Sequence, residues 1–257
     1  MTLNNQSGAT YQNAKLTLVA GDVNRVRERF QEVARAPYAM AKAADAANQF
    51  EQQGLFEYHS YALNRATTLK DRQTKQLSLM AAADIPTRRQ YVFDASRTPI
   101  WLQNRERQTE KVDVFLEFKN DKGSRLGMPL PKGVVRVYQA DKAGQLQFVG
   151  EDGIDHTPKD ETVKVKLGQA FDLVGERTQT AYRVIGDRVA EASYQIKLRN
   201  HKDEAVTITA LERMGGDWEI TQKSHAFKKR DAQQVAFEVK VEPNKEAVVT
   251  YTVRTRY

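Results

Sequence analysis

From Gly54 to the C-terminus the apolar residues recur with a period of two, and no helix-length apolar stripe interrupts them. LFEYHSYAL, KQLSLM, RQYVFD, KVDVFLEFKN, GVVRVYQA, LQFVGE, ETVKVKLG, EASYQIKLRN, EAVTITALE, DWEITQ, QQVAFEVKVEP and EAVVTYTVRTRY all alternate or cluster β-forming residues. The turn signals NDKGS, DKAG, NHKDE, MGGD and EPNKE separate several of them. Side chains on a strand point to alternate faces, so this pattern puts one face of each segment in a core and the other in water. Many short strands without intervening helices predict an all-β chain of two β-sandwich domains. Residues 177–257 hold six or seven of these segments in about 80 residues, an immunoglobulin-like size. Residues 54–176 would form a larger sandwich, joined by strands from residues 1–24.

One segment breaks the period. Val26, Phe30 and Val33 fall at helical spacing, Pro37 interrupts them, and AMAKAADAANQFEQQ follows with few β-branched residues. Residues 25–53 are therefore expected to be a helix-prone or mobile insertion that offers few large side chains for packing.

Composition narrows the chemistry. The chain has 257 residues and no cysteine, which excludes disulfides, thiolate metal sites and cysteine nucleophiles. No apolar run approaches the roughly 20 residues needed to span a bilayer as a helix. The first residues lack the charged start, apolar stretch and small-residue cleavage site of a signal peptide. They read as a strand entered partway, as expected for a segment cut from a longer precursor.

The net charge is +7, and residues 62–111 carry ten basic against five acidic side chains. Arg88, Arg89, Arg105 and Arg107 belong to this basic surface. Such a segment attracts polyanions, but its charges alternate with apolar residues as solvated strand faces do. Nucleic-acid binding also calls for interleaved stacking aromatics or a known motif, and neither is present.

Candidate chemical groups are few. Glu57, His59 and Tyr61 would share one face of a strand over 55–63, with the carboxylate and the imidazole about 6 to 7 Å apart. The pair lacks a third metal ligand, so a structural hydrogen bond is the expectation. The loop GEDGIDHTPKDET gathers Asp152, Asp155, His156, Asp160 and Glu161, of which Asp152, Asp155 and Asp160 are weak candidates for a calcium site. It departs from the calcium-loop pattern and reads as an acidic connection.

His201 and His225 fall at turns without a nucleophile nearby, and no GxSxG, HExxH, phosphate-binding or dinucleotide motif occurs. No enzymatic activity and no cofactor are expected. Trp218 follows a glycine turn and should pack. Trp101 lies in a polar stretch, and Pro99, Ile100, Trp101 and Leu102 form the expected interaction patch.

FEYHSYALNRATTLKDRQTKQLSL, residues 56–79, resembles a signature of the bacterial domain-of-unknown-function family that forms the C-terminal half of mucoidy-inhibitor-like proteins. NNQSGATYQNAKLTLVAGDVNRV resembles that family's entry into the domain, and GMPLPKGVVRVYQAD and HTPKDETVKVKLGQAFDLVGER resemble its later strands more loosely. The resemblance covers most of the chain and implies an exported protein, periplasmic or extracellular, with no established reaction or catalytic residues. The expected role is a non-enzymatic envelope module that binds a protein partner or a second copy through β edges or the insertion. Binding of acidic glycan or exopolysaccharide is the alternative, and a metal-dependent hydrolase is a third.

Overall fold

The computed structural model describes residues 1–21, 50–77, 79–80, 84–95 and 108–257. Among these the chain is all-β, with eighteen strands and no α-helix. Two compact units interleave along it. Unit 1 takes residues 1–86, 118–133 and 153–163, and unit 2 takes 87–117, 134–152 and 164–257.

In unit 1, β1 (Thr2–Asn5), β2 (Tyr11–Ala14) and β3 (Thr17–Ala20) run antiparallel to β7 (Gln73–Gln76), β6 (Thr67–Leu69) and β5 (Tyr58–Leu63) respectively. The partners advance in step, from Thr2 against Gln76 to Ala20 against His59. The three pairings are thus segments of one long ribbon, broken at its bends. β4 (Phe50–Leu55) adds a third strand beside β5.

The strand expected over 55–63 is in fact the end of β4, a turn at Phe56 and Glu57, and β5. Phe56 takes a φ of 57° there, a conformation that an extended strand does not contain. Phe50–Gln53, expected to lie in the insertion, belong to β4; residues 25–49 of that insertion lie outside the described residues.

Unit 2 is built on one mixed sheet. Its strands are β8 (Arg88–Asp94), β9 (Gln108–Lys119), β12 (Thr162–Gly186), β13 (Val189–Asn200), β14 (Val206–Arg213), β15 (Asp217–Lys223), β16 (Phe227–Lys229), β17 (Gln234–Val241) and β18 (Lys245–Arg256), of which β9 and β12 each run on into unit 1 by two residues. The order across the sheet is β15-β18-β13-β12-β9-β8-β14-β17-β16. β14 lies parallel to β8, and the other registered pairs are antiparallel. Glu176, where the sequence reading divides two domains, lies inside β12, and strands from both sides of it share this sheet. A separate hairpin of β10 (Gly133–Ala140) and β11 (Leu146–Ile154) completes the strands.

The alternation explains the core of unit 2. Ala192, Tyr194, Ile196 and Leu198 on β13, Val235, Phe237, Val239 and Val241 on β17, and Val249, Tyr251 and Val253 on β18 are buried in one cluster. Burying each such aliphatic or aromatic side chain contributes roughly 1.5–3 kcal/mol. β17 and β18 are not neighbours in the sheet, yet Phe237 stacks on Tyr251 with ring centroids 5.4 Å apart. The inner face of the sheet therefore turns back on itself. Gly175 on β12 makes room for this packing, because a Cβ there would lie 2.0 Å from the Phe93 ring.

Candidate functional site

The alternation that fills the core of unit 2 also carries two charges into it. On β14, Val206, Ile208 and Ala210 point inward, and Glu212 is the next residue on that face. On β12, Leu173 and Gly175 point inward, and Arg177 follows. Arg177 Nε donates to Glu212 Oε1 at 2.8 Å, and Glu212 is 0% exposed. The guanidinium carbon lies 4.0 Å from the centre of the Tyr194 ring, and Tyr194 stacks on Tyr251 at 5.3 Å. Arg177 Nη2, Glu212 Oε2 and the hydroxyls of Tyr194 and Tyr251 make no hydrogen bond of ordinary geometry among the described residues.

Four polar side chains thus share one buried site on incomplete terms. Burial holds the Glu212 carboxyl above its ordinary value, although the Arg177 charge pulls the other way. Burial likewise pushes the Tyr251 hydroxyl well above the usual phenol range, with the neighbouring Glu212 charge adding to it, and raises Tyr194. Burial disfavours the Arg177 cation, but the Glu212 charge and hydrogen bond together with Tyr251 and Tyr194 outweigh it, and the guanidinium stays charged. The Glu212 carboxyl is sealed from the surface among apolar and aromatic side chains. Its visible consequence is on stability and on the choice of strand register.

The other sequence candidates lie elsewhere. His59 Nδ1 is 3.0 Å from Gln52 Nε2, which is its partner in place of Glu57. Asp152 Oδ2 accepts the Lys166 amide at 2.8 Å in unit 2. In unit 1, Asp155 is 2.9 Å from Lys132 Nζ, whose hydrogen bond and charge hold its carboxyl below the usual range, and His156 Nδ1 accepts the Lys132 amide. Asp160 is 3.6 Å from Lys159, with a φ of 70°. Among the described residues no three His, Cys, Asp or Glu side chains gather in a way that could hold a metal ion.

Arg88 and Arg89, adjacent on β8, point to opposite faces: Arg88 pairs with Glu117 at 2.8 Å, and Arg89 reaches the Tyr91 hydroxyl at 3.5 Å. Trp218 packs against the core and donates from Nε1 to the Ala232 carbonyl. Pro99, Ile100, Trp101, Leu102, Arg105 and Arg107 lie outside the described residues.

Sequence reading missed the Arg177–Glu212 pair, although a signal was there. The alternation in EAVTITALE puts Glu212 on the apolar face of its own strand. It missed the exposed apolar face of the β10–β11 hairpin because a surface valine and a buried one look alike in sequence. Val134 is 60% exposed, Tyr138 52%, Leu146 71% and Phe148 55%. Tyr138 and Phe148 meet edge to face at 5.7 Å, with Arg136 and Glu151 paired beside them at 2.8 Å. No family model, no curated protein and no solved structure matches this chain.

Proposed function

We propose that this chain is a non-enzymatic module of the bacterial cell envelope, periplasmic or extracellular, that binds a protein partner. The observation that carries the reading is the exposed Val134, Tyr138, Leu146 and Phe148 face of the hairpin. Apolar side chains gathered on one surface, with an ion pair beside them, have the anatomy of an interface centre. Aromatic anchors of this kind contribute most of the binding energy in many complexes. The compartment rests on the likeness of residues 56–79 to the family of mucoidy-inhibitor-like proteins. In this reading unit 2 is a β-sandwich of immunoglobulin-like kind and unit 1 a second β domain. No helix among the described residues is long and apolar enough to cross a membrane.

The test places a benzophenone amino acid at position 138 or 148 in envelope-resident protein, with position 240 on β17 as control. The expected result is one discrete protein adduct from the hairpin positions and none from the control, abolished when Val134→Ser and Leu146→Ser are added. Adducts as diffuse from 138 and 148 as from 240 would overturn the reading.

A further inference from the structure

Outside the core, unit 2 gathers positive charge from three strands that lie far apart in sequence. Arg88 stands on β8, Lys164 on β12, Lys228 on β16, and Arg230 just past the end of β16. Two carboxylates answer two of these cations. Glu117 accepts from Arg88 at 2.8 Å and from Gln90 at 2.6 Å, and Glu238 accepts from Lys228 at 2.9 Å. Among the described residues Lys164 and Arg230 form no direct ion pair. The Lys164 ammonium instead lies 4.2 Å from the centre of the Phe115 ring, and Phe115 is the cross-strand partner of Gln90.

The arrangement has a surplus of two positive charges, and the cations feel one another. Burial lowers the Lys164 ammonium below its usual range, and the charges of Arg230 and Arg88 add to that despite Glu117. Arg88, Phe115 and Glu238 alternate with the core residues of their strands, so the cations that meet them lie on the face of the sheet turned away from that core, and the charges of Arg88 and Arg230 act with Lys228 on Glu238. Like charges held together cost free energy that a counter-charged ligand relieves.

We infer that the face formed by Arg88, Lys164, Lys228 and Arg230 binds a carboxylated polysaccharide chain. Three features favour that occupant. Arg88 and Lys228 already donate to the carboxylates of Glu117 and Glu238, so the geometry of the partner group is shown by the protein's own pairs. They are spread across strands spaced about 4.8 Å apart, with glutamates between them, which suits separate charges along an extended chain rather than one compact anion. The aromatic ring in the patch, Phe115, is capped by Lys164 and is not open for a base to stack on, as single-stranded nucleic acid requires. This inference is independent of the protein-binding reading, which concerns the hairpin face.

The experiment measures anisotropy of a fluorescein-labelled polyuronate oligomer titrated with the full chain at 50 and at 500 mM NaCl. Binding is expected at the lower salt and strongly weakened at the higher, where exposed charges are screened. Lys164→Gln, Arg230→Gln and Arg88→Gln should each weaken it by about twofold to fivefold. Lys142→Gln, at the hairpin turn, should leave it unchanged. Each variant is checked for an unaltered melting temperature, and Lys164→Gln, which removes a cation without a carboxylate partner, is expected to keep or raise it. No binding at 50 mM NaCl would overturn the inference. Equal losses in the Lys142→Gln control, or binding of a DNA strand of matched charge as tightly as the polyuronate, would overturn it too.

Discussion

Two kinds of buried polar residue hold this chain, at strand ends and in mid-core, and they differ in how completely their hydrogen bonds are met. Asn5 ends β1, Asn120 follows β9 and Asn200 ends β13, and each is buried. Asn120 Nδ2 donates to the Met128 and Pro158 carbonyls at 2.8 and 2.9 Å, and its Oδ1 accepts the Gly127 amide. Asn5 reaches the carbonyls of Ala9, Leu69 and Lys70, and Asn200 those of Glu204, Val241 and Glu242. In each case a short amide side chain supplies the backbone partners that a chain leaving a sheet would otherwise lack. The core pair of Arg177 and Glu212 does the reverse. It brings two charges and two hydroxyls into an apolar cluster and leaves a polar atom on each without an ordinary hydrogen bond. The asparagines join loops to strands, whereas the ion pair penalises any register that would separate its members.

The largest effect should come from breaking that pair on one side only. Glu212→Ala leaves the Arg177 cation buried and unpaired, at an expected cost of about 3–5 kcal/mol. Replacing both partners by apolar residues of similar size, as in Arg177→Met with Glu212→Leu, should be neutral or stabilising by about 1–4 kcal/mol. Urea unfolding, with hydrogen exchange at the Tyr194 and Ala210 amides, measures both. If the double variant proved as unstable as Glu212→Ala, the ion pair would contribute net stability, and the contrast with the asparagines would collapse.

A smaller loss is expected at the strand ends. Asn120→Ala removes two donors and an acceptor and leaves the Met128 and Pro158 carbonyls and the Gly127 amide to find other partners. Each buried group left unmet costs about 1–3 kcal/mol, less where water reaches it. The expected outcome is a destabilisation of about 2 kcal/mol with faster exchange at Gly127. No change at that amide would show that the loop is held by something else.

These contrasts also show what the sequence made legible. The period of two was enough to place most strands of unit 2, because each buries one face, and the inward residues of β13, β17 and β18 fall at every second position. The same period misled over 55–63, where the alternation runs through a turn that Phe56 makes with a positive φ and no glycine. It was silent on partnership. Nothing in RQYVFD says that β8 lies parallel to β14, more than a hundred residues on, and nothing near Lys164 says that it lies over the Phe115 ring. Asn120 sits within NDKGS, which reads as an ordinary turn; only the fold shows its amide buried between two loops.

The last way to sharpen the comparison uses pH, to which the asparagines do not respond. Burial raises the Glu212 carboxyl above its unfolded value, so folding takes up a proton there. The stability linked to that group is fully present below the unfolded carboxylate range and is lost as pH rises through the folded value. Glu191 has the opposite sign. The Arg183 hydrogen bond holds its carboxyl low, with Arg254 adding to it, so its contribution is present above the usual carboxylate range and lost on acidification. Urea midpoints for unit 2 between pH 4 and 8 should therefore contain two opposed components. Glu212→Gln should remove the one that falls with rising pH, at most about 1.4 kcal/mol per pH unit for a single proton. Glu191→Gln should remove only a minor component at the acid end, since Arg183, its leading partner, is largely exposed and screened and Arg254 is half-exposed. A Glu212→Gln profile that parallels the parent over the whole range would mean that Arg177 keeps Glu212 as ionised in the folded core as in the unfolded chain. The buried pair would then be balanced as fully as Asn120 is.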